Sequence, residues 1–314
     1  MFKVVKHKIG KFDAVRLIND HTGEYLEVLT EFGAGLNDLV IKNANDQLVS
    51  VIDGYRSGKE IINDHHSAFK GSKLSPFPNR VTEGRYVFEG TTYQLPINEV
   101  DANNNLHAFL HCRPFELVEE SAGEYESSVR LVYKYKGTDQ GYPFSYCLTL
   151  IYKFREDGAE MQTAITNTSA SNIPIGDGWH PYFRFDNVNA VKMQMSGAER
   201  ITSNFDNELL ARHGFEEERT IEELQLDDCF EINGSDQFSV KLKDSTNEIE
   251  VWQESEDKKY KYVQIFTPPG RNSIAVEPVT CAPNAFNTGQ GLIRLKPNEK
   301  VSMSFGIRNL LLNK

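Results

Sequence analysis

The chain has 314 residues, of which 39% are hydrophobic and 25% are charged, and its formal net charge is −11. This composition is typical of a globular protein and excludes a disordered chain or a membrane protein. The acidic balance also argues against a general nucleic-acid binder, because such a protein needs a basic face to displace counterions.

The sequence offers no sign of export or membrane insertion. No apolar stretch reaches the roughly 20 residues that a membrane helix requires. The stretch MFKVVKHKIGKFDAV is interrupted by lysines and lacks the apolar middle of a signal peptide. The four cysteines are scattered without a CxxC pair, so free thiols are expected. We therefore predict a cytoplasmic protein.

Alternation of apolar and polar residues predicts strands along the whole chain, beginning with GEYLEVLT and DLVIK. RYVFEGTTYQL predicts a hairpin with its turn at Glu89 and Gly90. SSVRLVYKYKG and YPFSYCLTLIYKF predict two long neighbouring strands joined around Gly137 and Gly141. QFSVKLKD, IEVWQE, KYVQIFT and KVSMSFGIRN supply further strands towards the end of the chain.

Helical periodicity is nearly absent. The stretches GKEIINDHHSAF (residues 58–69) and DNELLARHG (residues 206–214) each predict a turn or two of helix. No Pro/Gly/Ser-rich linker or shift in composition divides the chain. We predict an all-β fold, a large antiparallel sandwich with one or two short helices, in one domain over residues 1–314.

Two candidate acid–base residues share one local design. His180 in GWHPYFRF and Glu277 in SIAVEPVT each end an apolar or aromatic strand, and each directly precedes a proline. Because pre-proline geometry restricts the backbone, both side chains should be well aimed. An imidazole and a carboxylate suit proton transfer near neutral pH. The alternatives are a core strand that happens to contain a histidine, and a glutamate at an exposed strand end.

Arg80, in SPFPNRVTEGRY, and His107, in NNNLHAFLH, also interrupt strand-like apolar contexts. His107 and His111 are four residues apart, a spacing that places two metal ligands on one face of a helix. No glutamate follows His107 as in HExxH, and the flanking residues favour strand or loop, so we predict no metal site.

The aromatic residues around His180 have two interpretations. Trp179, Tyr182 and Phe183 would offer apolar surface to a ligand if they faced a cleft. Most aromatic residues in strands belong to the core, and we favour the core for all three.

Six stretches, taken together and in order, resemble the aldose 1-epimerase (galactose mutarotase) family. They are NRVTEGRYVFEGTTYQL, NNLHAF, HPYF, LDDCF, EPVTCAPNAFN and LKPNEKVSMSFGI. They span most of the chain, from about residue 75 to the C-terminus.

The resemblance implies a galactose mutarotase-like supersandwich that binds a hexose in an open cleft without a metal or cofactor. Carried over position by position, it implies a general base at Glu277 and a general acid at His180. It implies that Arg80 and His107 hold and polarise sugar oxygens. It also places the carboxylate of the family's D-x-x-[F/Y] stretch at Asp227.

Some positions remain open within this resemblance. Asp228 is the alternative to Asp227 if the register of the motif slips by one residue. Ala108 follows His107 where many family members carry glycine. His111 and Arg113 are additional polar residues close to His107, and their roles are not assigned.

The implied activity is the interconversion of the α and β anomers of a free hexose of the galactose or glucose type. A base on one side of the ring takes the proton of the anomeric hydroxyl, and an acid on the other side protonates the ring oxygen. The ring then opens, and it recloses on the other face. The expected partner is therefore a small sugar, with no nucleic acid or membrane partner, and the expected assembly is a monomer or homodimer.

Three alternatives remain open for the function. A hexose-6-phosphate 1-epimerase would bind its phosphate through basic residues among Arg80, Arg85, Lys70 and Lys73. A non-catalytic sugar-binding protein is a second alternative, because a fold alone does not imply an activity. A glycoside hydrolase that uses two carboxylates is a third and more distant one.

Overall fold

The computed structural model describes residues 1–203, 215–222, 224–234 and 236–313. These ranges contain 27 strands, two α-helices and three 3-10 helices. The strands are β1 Phe2–Ile9, β2 Phe12–Asn19, β3 Tyr25–Leu29, β4 Gly35–Lys42, β5 Leu48–Ser50, β6 Ser72–Leu74, β7 Arg80–Thr82, β8 Arg85–Phe88, β9 Thr91–Gln94, β10 Asn104–Leu106, β11 Glu116–Ala122, β12 Glu126–Tyr135, β13 Tyr146–Arg155, β14 Gly158–Asn167, β15 Ile173–Ile175, β16 Gly178–His180, β17 Tyr182–Arg184, β18 Lys192–Gln194, β19 Ala198–Ser203, β20 Arg219–Thr220, β21 Asp227–Ile232, β22 Gln237–Lys243, β23 Glu248–Glu254, β24 Tyr262–Phe266, β25 Ser273–Val279, β26 Ile293–Leu295 and β27 Lys300–Asn309.

Three large sheets make up most of the fold. The first has five strands in the order β1-β2-β3-β4-β5, and the second has nine in the order β11-β12-β13-β14-β27-β23-β22-β18-β20. The third has seven strands, in the order β19-β21-β24-β25-β16-β6, with β17 also paired to β25. Neighbouring strands run antiparallel, which confirms the predicted all-β class.

Local patterning accounts for the strands that the sequence predicts. Along β13 the side chains alternate between buried and half-buried for all ten residues. β13 pairs with β12 from Tyr146 opposite Tyr135 to Arg155 opposite Glu126. The β8–β9 hairpin turns at Glu89 and Gly90, whose φ angles are +48° and +79°. The two long neighbouring strands and the hairpin are therefore confirmed.

One large apolar cluster joins the three sheets, and this packing of sheet against sheet forms the sandwich. Trp179 and Phe183 are completely buried within it, as predicted. Other members from the five-, nine- and seven-stranded sheets include Val15, Leu26, Met161, Phe305, Val263 and Ile274.

The helices are few and peripheral. α1, Gly58–Ala68, has eleven residues and is longer than the turn or two predicted from its sequence. Its N-cap Ser57 accepts a hydrogen bond from the backbone N–H of Glu60, a Ser-x-x-Glu start that stabilises the first turn. α2, Ala285–Thr288, is a single turn.

The other helix predicted, over residues 206–214, lies outside the described residues. The 3-10 helices are Leu110–Cys112, Val188–Ala190 and Leu310–Asn313. Among the described residues, no helix has the length and apolar character needed to span a bilayer.

Candidate active site

A cleft of about 230 Å³ is lined by residues of the seven-stranded sheet, of the paired strands β7 and β10, and of the C-terminal end of α1. The five site residues predicted from the sequence all line it: Arg80, His107, His180, Asp227 and Glu277. The other lining residues are Ser67, Phe69, Asn79, Glu99, Leu106, Tyr182, Gln264 and Phe266. Segments far apart in the chain thus converge on one concave surface.

The register of the sheet brings His180 and Glu277 together. Gly178 pairs with Val279, and β17 continues the pairing with β25 in the same register beyond Pro181. That register sets His180 across from Glu277, so the two side chains are cross-strand neighbours. Their Nε2 and Oε1 atoms lie 3.4 Å apart.

This arrangement corrects one expectation. From the sequence we expect the base and the acid on two sides of a sugar ring, whereas His180 and Glu277 lie side by side. The anomeric oxygen and the ring oxygen are bonded to the same carbon. A base and an acid that serve those two oxygens therefore have to be close to each other.

Burial controls the protonation of this pair. The exposed fraction of Glu277 is only 3%, which rules out the alternative of an exposed strand end. Burial and the neighbouring carboxylate of Asp227 raise the pKa of Glu277 well above its ordinary value, and Arg80 opposes the rise. Burial lowers the pKa of His180 to about 3. Burial alone therefore favours an uncharged pair, a carboxylic acid beside a neutral imidazole.

Aromatic rings flank His180 on both sides. The ring of Tyr182 is stacked on the imidazole, with centroids 4.7 Å apart and an interplanar angle of 26°. Phe69 is also near parallel to it, at 6.4 Å. Phe69 directly follows α1 and has a left-handed φ of +50°. Tyr182 is buried, as predicted for a core residue, and it also lines the cleft.

His107 is held in a defined tautomer. The backbone N–H of Asn79 donates to Nδ1 of the His107 ring at 3.0 Å. In return, the backbone N–H of His107 donates to the backbone carbonyl oxygen of Asn79. Burial and the nearby His180 keep the pKa of His107 well below its ordinary value, so the ring is neutral. Because Nδ1 accepts, the proton of the neutral ring is on Nε2. His107 can thus donate a hydrogen bond from Nε2.

Arg80 is fixed by a second carboxylate. Its Nε lies 2.9 and 3.1 Å from the two carboxylate oxygens of Glu99, and its Nη2 lies 2.8 Å from Oε1. Such a bidentate pair fixes the plane of a guanidinium. The side-chain amide of Asn104 donates to the same carboxylate at 2.9 Å.

The choice between Asp227 and Asp228 follows from strand geometry. Successive side chains of a strand point to opposite faces, so the two carboxylates diverge. Asp227 lines the cleft, where the amide of Gln264 donates to it at 2.7 Å. Asp228 is buried on the other face, with its carboxylate 3.7 Å from Nη1 of Arg200.

The polar lining residues Ser67, Asn79, Glu99 and Gln264 were not identified as site residues from the sequence. Gln264 is the polar member of the apolar strand Tyr262–Phe266, and that interruption was a usable signal. Glu99 lies in a polar segment, INEVDANNN, where nothing distinguishes it from solvent-exposed residues.

His111 and Arg113 do not line the cleft. His111 is buried in the 3-10 helix Leu110–Cys112, while His107 precedes that helix, so the two rings do not share a helical face. Arg113 forms an ion pair with Asp139 at 2.5 Å. Across the described ranges, no group of three or more His, Cys, Asp or Glu residues is placed to hold a metal ion.

Comparison with known proteins identifies a family. The sequence model of the family described as aldose 1-epimerase matches residues 14–308. The Escherichia coli protein YihR is 25% identical over 91% of this chain and 90% of its own length. Galactose mutarotase of Sus scrofa is 22% identical over 49% of this chain and 43% of its own.

Solved structures share the fold. A galactose mutarotase-like protein from Clostridium acetobutylicum superposes with a TM-score of 0.83 at 18% identity, covering 98% of this chain and 99% of its own. A galactose 1-epimerase from Lactobacillus acidophilus superposes with a TM-score of 0.77 at 17% identity, covering 98% of each chain. These neighbours have the galactose mutarotase-like sandwich, as the resemblance implied.

Proposed function

The chain belongs to the aldose 1-epimerase family, and from that premise we propose that it interconverts the α and β anomers of a free hexose. The observation that carries this proposal is the contact between His180 and Glu277 inside a cleft. One member of the pair gives a proton while the other takes one, which is what two oxygens on one carbon require.

In the proposed reaction, Glu277 removes the proton from the anomeric hydroxyl while His180 protonates the ring oxygen. The bond between the anomeric carbon and the ring oxygen breaks, and the electron pair left on the hydroxyl oxygen completes the aldehyde. Rotation about the adjacent carbon–carbon bond turns the aldehyde over. The two protons then return by the reverse path, and the ring closes as the other anomer.

Proton transfer during ring opening leaves Glu277 protonated and His180 neutral. This is the distribution that burial of the two groups favours. The distribution before ring opening has opposite charges side by side, and the guanidinium of Arg80, which lowers the pKa of Glu277, favours it.

The binding residues complete the proposal. Arg80 and the Nε2–H of His107 are donors for the carbonyl oxygen of the open sugar and for neighbouring hydroxyls. The carboxylate of Asp227 accepts from hydroxyls. Phe69 and Phe266 give the cleft apolar surface against which C–H groups of a pyranose can pack.

A free hexose is favoured over a hexose 6-phosphate because of where the basic residues lie. Lys73 is completely buried against Asp177, and Lys70 pairs with Glu60. Neither lines the cleft, and Arg85 does not line it either. Arg80 is the remaining candidate, and it is engaged with Glu99.

Polarimetry of freshly dissolved α-glucose and α-galactose tests the activity. We expect mutarotation faster than in buffer, in proportion to protein concentration. We also expect His180→Asn to lower the rate by about 10²–10⁴-fold with an unchanged melting temperature. The absence of acceleration for every hexose of a panel would contradict the proposal. Sugar-dependent thermal stabilisation without acceleration would indicate a non-catalytic sugar-binding protein.

A further inference from the structure

We propose that Glu99 is a specificity-determining residue that restricts the cleft to uncharged sugars by occupying Arg80. This inference rests on the proposed function, because it concerns the substrate class of the same cleft. In this role Glu99 excludes anionic sugars, such as hexose phosphates and uronic acids, and takes no part in proton transfer.

The first support is the geometry of the pair. Three contacts of 2.8–3.1 Å join the guanidinium of Arg80 to both oxygens of the Glu99 carboxylate. Glu99 is in turn held by the side chain of Asn104 and by a two-way backbone pairing with the same residue. The carboxylate is therefore fixed in position beside the guanidinium.

The second support is the charge of the lining. Its ionisable acids are Glu99, Asp227 and Glu277, and Arg80 is its lone guanidinium or ammonium group among the described residues. An anionic sugar would need a cation whose charge is not already balanced. Binding without one would bring a further negative charge close to the carboxylates of Glu99 and Asp227.

Neighbouring cations do not supply that charge. Lys70 and Arg184 lie on segments next to lining residues, but both pair with the carboxylate of Asp53, at 3.4 and 2.5 Å. Lys70 also contacts Glu60 at 3.0 Å. Both of these positive charges are thus matched by carboxylates of the protein.

The pairing with Glu99 still leaves Arg80 able to bind neutral hydroxyls. A guanidinium has five N–H groups, and the contacts with Glu99 use the Nε–H and one on Nη2. The remaining N–H groups can donate to sugar oxygens. The discrimination that we propose therefore depends on charge and leaves hydrogen-bonding capacity in place.

The variant Glu99→Gln tests this role, because it removes the charge and preserves the length of the side chain. Glu124→Gln is a matched control, since Glu124 is exposed between β11 and β12 and the net charge changes equally. The probes are glucose, glucose 6-phosphate and glucuronate. Dissociation constants are measured for each by NMR titration at low ionic strength, and thermal melting verifies folding.

We expect the native protein to bind glucose more tightly than either anion. Glu99→Gln should improve the affinity for the anions relative to glucose by about tenfold, and added salt should reduce this gain. Glu124→Gln should leave the ratio unchanged. Glu99→Ala should act in the same direction as Glu99→Gln, which separates loss of the carboxylate from any effect of the new amide.

An unchanged ratio in both Glu99 variants would overturn the inference, as would native binding of glucose 6-phosphate that matches binding of glucose. If the native protein bound none of the three probes, the inference would be overturned as well. The dissociation constants do not depend on catalysis. A protein that binds glucose selectively without accelerating mutarotation would therefore contradict the proposed function and leave the role of Glu99 intact.

Discussion

Two buried ionisable side chains, Asp177 and His180, lie three residues apart on the segment that enters the cleft, and their surroundings differ. Asp177 faces the core, where the ammonium of Lys73 contacts its Oδ2 and the hydroxyl of Tyr260 donates to it at 3.0 Å. Lys73 also lies 4.5 Å from the centroid of the Trp179 ring. Both members of the ion pair are completely buried.

His180 faces the cleft with fewer partners. Its Nε2 lies 3.4 Å from Glu277, and within the described part of the chain its Nδ1 has no hydrogen-bond partner. Burial is similar at both places, so burial does not separate a structural pair from a reactive one. The number of fixed partners does. The core pair is held by several further groups, whereas the two members of the cleft pair contact each other at the wall of a cleft.

The largest expected effect is on the cleft pair. Glu277→Gln removes the proposed base, so we expect mutarotation to fall by about 10²–10⁴-fold. Because the substitution also removes a desolvated carboxyl group, the free energy of unfolding should change by less than about 1 kcal/mol. Polarimetry and urea denaturation measure the two quantities. A large loss of stability would place Glu277 with the structural pair instead.

The core pair should give the opposite result. Lys73→Met leaves the carboxylate of Asp177 buried without its cation, which costs about 3–5 kcal/mol of stability. Urea denaturation measures this loss, and mutarotation per folded molecule should fall far less than in Glu277→Gln. Replacing both partners, by Lys73→Met with Asp177→Leu, should restore much of the stability. If Lys73→Met alone were as stable as the native protein, the structural role of the ion pair would be contradicted.

A smaller effect should appear in the pH dependence. Asp227 raises the pKa of Glu277, whereas burial lowers the pKa of His180 to about 3. The reactive pair carries one proton, on His180, and the pair keeps one proton until the pH rises through the raised pKa of Glu277. We therefore expect kcat/KM to fall as the pH rises through that pKa. Asp227→Asn removes the neighbouring charge and should lower the pKa of Glu277, so the alkaline limb should move to lower pH by roughly one unit, whatever happens to the maximal rate. Rates measured across pH test this shift.

The smallest effect is expected for Asp228→Asn, the matched control one residue along the strand. Asp228 faces away from the cleft and lies near Arg200, so the alkaline limb should keep its position. A shift as large as that of Asp227→Asn would show that the identity of the neighbouring carboxylate does not matter.

Much of the fold was predictable from local sequence patterns. The alternation along β13 and the turn residues Glu89 and Gly90 depend on neighbours in the chain, and both elements formed as expected. The predicted helix at α1 was too short because its residues are mostly polar and the Ser-x-x-Glu start from Ser57 to Glu60 was not recognised. Tyr182 was assigned to the core because most aromatic residues in strands belong there, and its additional place at the cleft depends on how β17 pairs with β25.

The site was predictable where local chemistry marked it. His180 and Glu277 were identifiable because each precedes a proline in an apolar or aromatic stretch. The expectation that Glu277 ends its strand was wrong, because β25 continues through Pro278 to Val279. Their 3.4 Å separation was not predictable, because it depends on the pairing of β16 and β17 with β25, almost 100 residues away in the chain. Glu99 was not predicted for the same reason, because its contact with Arg80 forms only when the chain folds.

The pairing of β25 with β16 and β17 has a consequence for how this scaffold changes over evolution. The spacing of Glu277 and His180 is set by a backbone ladder at the interior of a sheet, which tolerates little variation. Arg80, His107 and Glu99 lie on or beside the short β7–β10 ribbon, which pairs only with itself in the described chain. Substitutions there can retune which molecules are accepted while the proton-transfer distance stays constant.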